Sequence, residues 1–228
     1  MNVYFVGAKS PEVRRQIAAQ QRAHHEFRPV GFVDNDPEKW GQTFVDLPVL
    51  GGFAIVPRVL EDDPAAYFVN LITGSTRARF ETSAELAKLG CRFTNLIHPS
   101  VDLTDVEVGV GNYIQEDVKL QGGVTVGNNS SIHVGAVVSH ESVVGHSVFI
   151  SHALIGGEVT LEDGSFVGLN GTITPRRTVG RWATVGAGAI VIADVAAGST
   201  VVGNPARVVR EADEPLPSSG DLGPGPKP

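Results

Sequence analysis

Four of the chain's seven histidines lie close together, in the stretch HVGAVVSHESVVGHSVFISH. They are His133, His140, His146 and His152, and among them only His140 is followed by an acidic residue, Glu141. A neutral imidazole can take a proton from a reacting group, and a neighbouring carboxylate can orient that ring. Three converging imidazoles can instead hold a zinc ion. The residue types alone leave open a metal cluster, one catalytic base with three bystanders, and a purely structural role.

The region that contains these histidines carries a six-residue repeat. Eight aliphatic residues follow one another at intervals of six, and after the loss of one residue seven more continue the spacing. They are Val108, Ile114, Leu120, Val126, Ile132, Val138, Val144, Ile150, Ile155, Leu161, Val167, Ile173, Val179, Val185 and Val191. This short period predicts a solenoid of short parallel strands, in which three hexapeptides make one triangular coil and fifteen make about five coils.

The repeat also indicates which histidines can meet. His140, His146 and His152 are six residues apart, so on a three-sided coil they point away from one another. That arrangement disfavours a metal cluster within one chain. In an unbroken repeat Glu158 would stack on His140, one coil further on, but the lost residue moves Gly157 to that place.

The first 97 residues follow a different pattern, in which strand-like and helix-like segments alternate. NVYFVG predicts a buried strand, and SPEVRRQIAAQQRAH predicts a helix with Ser10 as its N-cap and Pro11 at its first position. Such alternation favours a small parallel α/β sheet of about four strands. The sequence therefore predicts an α/β domain over 1–97, a solenoid over 98–210 and a disordered tail over 211–228, which is rich in Pro, Gly and Ser.

Composition narrows the classes of function. Lys and Arg number 18 against 25 Asp and Glu, a net charge of −7, which argues against a nucleic-acid partner. No apolar run is long enough to span a membrane, and the first residues lack the pattern of a secretory leader. The single cysteine, Cys91, cannot form an internal disulfide. We expect a soluble, cytoplasmic protein.

Four segments carry a resemblance to a known family: GFVDND after the first helix, LIHPS at the domain junction, SHES in the repeats and VVGNPARVV at their end. With the repeat, they make residues 2–210 similar to hexapeptide-repeat acyltransferases, and in particular to bacterial nucleotide-sugar N-acetyltransferases and sialic-acid O-acetyltransferases. The resemblance implies a Rossmann-like domain followed by a left-handed parallel β-helix. It also implies a homotrimer with acyl-CoA sites between subunits, and direct transfer from acetyl-CoA to the amine or hydroxyl of a sugar.

The same resemblance implies roles for individual residues of the β-helix. His140 is the general base and Glu141 its acidic partner, while the Gly157 N–H contacts the thioester carbonyl. Residues expected along the pantetheine arm of the cofactor are Leu169, Gly186, Ala187 and Gly188. His133 stands where relatives have an asparagine that holds the sugar.

In the amino-terminal domain, the resemblance places the nucleotide at the ends of the first three strands. The expected substrate-binding residues are Gly7 after the first strand, Asp34 and Asp36 after the second, and Gly74 in the loop after the third. Arg79 matches the same loop as Gly74. The turn GAKSPEV lacks the later glycines and the histidine that are usual in relatives.

Two other functions remain open. The altered turn, together with His133 and Phe149 at positions where relatives differ, is compatible with a non-catalytic binding or assembly module. A zinc hydratase similar to the γ class of carbonic anhydrases would place metal at subunit boundaries, but the histidine spacing matches that class poorly.

Overall fold

The computed structural model describes residues 1–212, and its amino-terminal part is a six-stranded sheet flanked by helices. The strands are β1 (Asn2–Val6), β2 (Arg28–Val33), β3 (Thr43–Phe44), β4 (Leu47–Gly51), β5 (Tyr67–Asn70) and β6 (Arg92–Phe93). The helices are α1 (Val13–Ala23), α2 (Val56–Asp62) and α3 (Thr76–Lys88), with 3-10 turns at Pro37–Lys39 and Phe53–Ile55. The strand order is β3-β4-β2-β1-β5-β6, and every neighbouring pair is parallel except β3 and β4.

Strand β1 is apolar on both sides because helices cover both faces of the sheet. Val3 and Phe5 join the core beneath α1, whereas Tyr4 and Val6 join the core beneath α2 and α3. Helix α1 begins at Val13, and Ser10 makes no capping bond to it because residues 11–12 form a turn first. The predicted N-cap at Ser10 is therefore wrong.

The second part is a three-sided parallel β-helix. Its first face contains β8 (Glu107–Val108), β11 (Thr125–Val126), β14 (Val143–Val144), β17 (Thr160–Leu161) and β20 (Thr178–Val179). Its second face contains β7 (Leu96–Ile97), β9 (Tyr113–Ile114), β12 (Ser131–Ile132), β15 (Phe149–Ile150), β18 (Phe166–Val167), β21 (Thr184–Val185), β23 (Thr200–Val202) and the antiparallel β24 (Arg207–Arg210). Its third face contains β10 (Lys119–Leu120), β13 (Val137–Val138), β16 (Leu154–Ile155), β19 (Thr172–Ile173) and β22 (Ile190–Val191).

All fifteen predicted aliphatic positions are the second residue of a strand, and all but Val108 are buried. Most stacked strands pair residues 18 positions apart, but Val138 pairs with Ile155, 17 positions on. The predicted slip in the repeat is thus one coil that is shorter by one residue. The predicted architecture, an α/β part followed by a parallel β-helix, is confirmed.

Each coil turns at three corners, which we name by the faces they join: corner 1–2, corner 2–3 and corner 3–1. The turn after each predicted aliphatic residue from Val108 to Val185 contains one residue with a positive φ, which lies three positions past the aliphatic residue, or two positions past it at Ile150, where it is His152. At corner 3–1 of the central coil this residue is Glu141, with φ 55°. The turn therefore fixes the direction of the backbone immediately after His140.

The two parts share buried contacts. Gln16 of α1 donates from Nε2 to the carbonyl of Ile114 at 2.9 Å, and Gln20 donates to the carbonyl of Ile97. Leu96 of β7 packs in the same core as α1, although β7 pairs with β9 of the β-helix. The border at residue 97 stays a prediction, and residues 213–228 of the predicted tail lie outside the described residues. None of the helices in residues 1–212 is long and apolar enough to cross a membrane.

Candidate functional site

His140 lies at corner 3–1, two residues past Val138, with its side chain 58% exposed. Its backbone N–H donates to Oε1 of Gln121 at 3.1 Å, which fixes the start of the turn. Nδ1 of the ring lies 3.5 Å from Oε2 of Glu141. The carboxylate therefore flanks one nitrogen of the imidazole and leaves Nε2 for another partner.

Gly157 stacks on His140 one coil further along. The N–H of Glu158 donates to the carbonyl of His140 at 2.9 Å, which holds the two turns together. A Cβ built on Gly157 would lie 2.5 Å from Nε2 of His140, so only glycine fits against the ring as it stands. Within residues 1–212 the N–H of Gly157 has no hydrogen-bond acceptor. Corner 3–1 thus places a free backbone donor beside a free imidazole nitrogen, a combination suited to acyl transfer.

The residues predicted along the cofactor lie at a different corner. Leu169 and Ala187 occupy corner 2–3, and Leu169 is 56% exposed. Gly188 donates its N–H to the carbonyl of Leu169 at 2.7 Å, and Gly186 donates to that of Val201 at 2.8 Å. The third face separates this strip from His140 within one chain.

The remaining histidines of the cluster do not converge on His140. His146 lies at corner 1–2, where its Nδ1 accepts the N–H of Asn128 at 2.9 Å. His152 lies at corner 2–3, where its Nδ1 bonds the carbonyl of Val134 at 2.8 Å. Among the described residues, no three His, Cys, Asp or Glu side chains are grouped so as to hold a metal ion.

A cleft of about 860 Å³ lies at the carboxyl ends of β1, β2 and β5, and Gly7, Asp34 and Gly74 line it. Strands β2 and β5 pair with β1 on opposite sides, so the connections that leave the carboxyl ends of these strands diverge here. Clefts at such points commonly bind ligands in α/β proteins. Asp36 is absent from the lining, and its carboxylate accepts the N–H of Glu38 at 3.1 Å. The structure brings three of the four predicted nucleotide-binding residues together.

Asp34 is engaged by the protein itself. Its carboxylate accepts the N–H of Ala8 at 2.8 Å, the N–H of Asp36 at 2.9 Å and the ammonium of Lys39 at 2.9 Å. Burial opposes ionisation, but these three bonds outweigh it and hold the pKa of Asp34 below its usual value. Asp34 therefore stays ionised and fixes the loops that form this end of the cleft.

Four charged side chains of the cleft were not predicted from the sequence: Lys9, Lys39, Glu81 and Glu85. Lys9 follows the glycine turn directly, and the two glutamates are four residues apart on α3, which places them on one helix face. Both spacings can be read from the sequence. The sequence does not indicate, however, that α3 forms a wall of the cleft.

Arg79, which the resemblance placed beside Gly74, is buried between the two parts of the molecule. Its guanidinium donates to the carbonyls of Asn70 and Asn129, each at 2.6 Å, and of Gly111 at 3.1 Å, with longer bonds to two further carbonyls. Burial lowers its pKa to about 9, so the group remains charged at neutral pH. Arg79 is absent from the lining of the cleft.

His133 is the first residue of corner 2–3, directly after β12, and its ring packs against Tyr113 and Phe149 of the second face at centroid distances of 5.9 and 4.7 Å. Burial lowers its pKa to about 4, with a smaller contribution from the charge of Arg79, so the ring is neutral at neutral pH. Gly7 and His133 line one small cavity together. The structure thus connects a predicted nucleotide-binding residue of the sheet with the predicted sugar-binding residue of the β-helix.

Solved structures match the chain over nearly its whole length. GDP-perosamine N-acetyltransferase from Caulobacter crescentus, solved as a His-to-Ala variant with CoA and GDP-perosamine, is 24% identical with a TM-score of 0.83, covering 92% of this chain and 98% of that one. WeeI from Acinetobacter baumannii is 24% identical with a TM-score of 0.74, covering 92% and 100%. The acetyltransferase domain of PglB from Neisseria gonorrhoeae, solved with acetyl coenzyme A, is 22% identical with a TM-score of 0.56, covering 91% and 98%. These similarities confirm the fold: a Rossmann-like domain followed by a left-handed parallel β-helix.

Curated relatives match mainly through shorter stretches. The bifunctional protein GlmU from Rubrobacter xylanophilus is 30% identical over 166 residues, covering 55% of this chain and 36% of that protein. A 2,3,4,5-tetrahydropyridine-2,6-dicarboxylate N-acetyltransferase from Staphylococcus aureus is 36% identical over 90 residues, covering 40% and 34%. The chain thus spans little more than a third of the length of these relatives. No family model matches the chain.

Proposed function

We propose that the protein is an acyltransferase that transfers an acetyl group from acetyl-CoA to the amine of a nucleotide-linked sugar. The observation that carries the proposal is that corner 3–1 places the His140 imidazole beside Gly157, whose N–H has no acceptor among residues 1–212. The cleft of the α/β part supplies a separate site large enough for a nucleotide. The similar protein from Caulobacter crescentus was solved with CoA and GDP-perosamine, which is the same pair of ligand types.

The reaction needs one base and one oxyanion donor. The neutral acceptor amine attacks the thioester carbonyl, a carbon–nitrogen bond forms, and the amine proton passes to Nε2 of His140. The Gly157 N–H donates to the carbonyl oxygen as negative charge develops on it. The carbon–sulfur bond then breaks, and the CoA thiolate takes the proton from His140 to leave as the free thiol. Glu141, 3.5 Å from Nδ1, stabilises the imidazolium between these steps.

A second copy of the chain completes this site in our proposal. The acceptor side, at His133, and the cofactor strip, at Leu169 and Ala187, share corner 2–3, whereas His140 and Gly157 lie across the third face. A neighbouring subunit that presents its corner 3–1 to this corner would unite the halves, and a homotrimer repeats that contact three times. Because acetyl-CoA and nucleotide sugars are made in the cytoplasm, we place the reaction there.

The test is a screen of GDP-, UDP- and dTDP-linked amino sugars with acetyl-CoA, in which release of free thiol and mass of the product are measured. For the accepted sugar, His140→Ala should lower kcat by about 10²- to 10⁴-fold, as expected on loss of a general base. His146→Ala, at corner 1–2, is the matched control and should keep normal turnover. Normal turnover in His140→Ala would remove the mechanism.

Calorimetry separates this proposal from a non-catalytic binding module. The wild-type protein should bind acetyl-CoA, and His140→Ala should bind it equally well because the base does not hold the cofactor. Absence of acetyl-CoA binding at millimolar concentration would instead favour the module.

A further inference from the structure

A small cavity of about 30 Å³ lies at the seam between the two parts of the molecule. Gly7, Leu71 and Thr73 line both this seam cavity and the large cleft, so the two spaces adjoin. Tyr113 and His133 belong to its wall on the side of the β-helix. The seam cavity is therefore where a ligand held in the cleft first reaches the β-helix.

The hydroxyl group of Tyr113 accepts a hydrogen bond but donates none to the described residues. Tyr113 is 4% exposed, and its oxygen accepts a hydrogen bond from Nε2 of Gln115 at 2.8 Å. The orientation of that amide is fixed, because Oε1 of Gln115 accepts the N–H of Val134 at 3.0 Å. Within residues 1–212 the phenolic O–H consequently has no acceptor. A buried donor without an acceptor is costly, so the cavity is suited to an acceptor that the described residues do not supply.

His133 provides a second polar atom at the same place. Its Nε2 bonds Oγ of Ser131 at 3.1 Å, while its Nδ1 has no partner in the described part of the chain. The ring is neutral at neutral pH, because burial holds its pKa at about 4. A neutral ring can accept a hydrogen bond at Nδ1 when Nε2 carries the proton.

The size of the seam cavity limits what it can hold. A volume of about 30 Å³ is close to that of one water molecule, so a single small substituent fits and a sugar ring does not. A hydroxyl group is the substituent that both accepts from Tyr113 and donates to His133. An ammonium group could not accept from Tyr113, so a protonated amine is excluded from this cavity.

We infer that the seam cavity is a specificity subsite that takes one hydroxyl group of the acceptor sugar, bound by Tyr113 and His133. This inference rests on the proposed function, because it assumes that a nucleotide sugar occupies the cleft. The hydroxyl would anchor the sugar ring at the junction of the sheet and the β-helix. The subsite would select sugars by the position of that hydroxyl.

The experiment compares binding of GDP-perosamine and GDP to the full-length protein by calorimetry. Tyr113→Phe should weaken binding of GDP-perosamine by about 5- to 15-fold, the loss of one hydrogen bond, and leave GDP binding unchanged. Tyr67→Phe is the matched control, because Tyr67 lies on β5 under Arg92 and is absent from the cavity lining, and it should bind both ligands normally. Analogues of GDP-perosamine that each lack one ring hydroxyl identify the bound group. One of them should bind wild type more weakly than GDP-perosamine does, by the same factor, and should bind Tyr113→Phe as well as GDP-perosamine does.

The outcomes separate the subsite from the proposed function. If wild type binds GDP-perosamine and Tyr113→Phe binds it equally well, the cavity holds water and the subsite is wrong while the function stands. If wild type binds neither GDP-perosamine nor any other nucleotide sugar of the screen, the function fails and the subsite with it. Should Tyr113→Phe fold poorly because Gln115 loses its acceptor, His133→Phe keeps the aromatic packing and should show the same selective loss.

Discussion

Replacing Gly157 with alanine tests the proposed active site more sharply than removal of the base does. The new methyl carbon would lie 2.5 Å from Nε2 of His140 and 2.7 Å from its Cε1. Carbon and nitrogen atoms pack at about 3.5 Å, so the ring must move by roughly 1 Å. The ring is the exposed end of a flexible side chain and can move without disturbing the coil.

The expected effect on catalysis follows from that displacement. A shift of about 1 Å in a catalytic group can cost on the order of 10²-fold in rate, because the reacting atoms leave their line of attack. We therefore expect kcat of Gly157→Ala to fall by about 10²-fold, while the free energy of unfolding changes by less than about 1 kcal/mol. The N–H of residue 157 is retained, so this loss reports on the ring alone.

The assay is steady-state transfer to the accepted sugar, and a double variant makes it specific. When His140 is already alanine, the methyl group at position 157 has no ring to displace, so Gly157→Ala should cause little further loss. Gly122→Ala is the matched control: Gly122 occupies the same corner two coils before Gly157, where the new methyl group would meet the Asp105 carboxylate instead, and activity should be normal. Normal kcat in Gly157→Ala, or losses that add fully in the double variant, would refute the stacking argument.

Two predictions concern stability. Arg79→Met should lower the free energy of unfolding by about 3 kcal/mol, because the buried carbonyls that accept from the guanidinium lose a charged donor. Denaturant unfolding measures this loss, and Arg77→Met is the exposed control. Equal losses in both variants would contradict the role of Arg79 as a buried link between the two parts of the molecule. Burial lowers the pKa of His133 from 6.5 in the unfolded chain to about 4 in the folded protein. Between these two pH values the unfolded chain therefore binds one more proton than the folded protein does. Stability should therefore be fully present above about pH 6.5 and decline by up to about 3 kcal/mol as pH falls to about 4. In His133→Gln this pH dependence of the free energy of unfolding should vanish. If urea unfolding gives the same pH dependence for wild type and His133→Gln, the ring is not buried in its neutral form.

The structure places His140 against Gly157, as the repeat predicts, but buries Arg79 away from the cleft. The position of His140 follows from counting residues along a repeat, since each coil obeys the same local rule of an inward aliphatic residue followed by a turn. The burial of Arg79 depends on carbonyls from two parts of the chain that are far apart in sequence. No local sequence pattern predicts a contact between such distant segments. The match of Arg79 to the loop after β5 therefore suggested a contact with a ligand instead.

The amino-terminal cleft shows the same division. Alternating apolar runs and helical patterns predicted the sheet, and the end of β2 predicted Asp34 at the cleft. They did not predict that Asp34 would be engaged by Ala8 and Lys39, nor that Glu81 and Glu85 would form the opposite wall. Those relations depend on how α3 packs beside the sheet.

The sequence by itself determined the β-helix, including the coil that lacks one residue and the resulting place of Gly157, because a repeat with a period of six constrains every strand by local spacing. Only the tertiary structure decided that the Gly157 N–H has no acceptor in the described part of the chain, that Tyr113 and His133 meet Gly7 at a seam, and that Arg79 joins the two parts. The physical reason is that these features are contacts between segments whose separation in the chain says nothing about their distance in space.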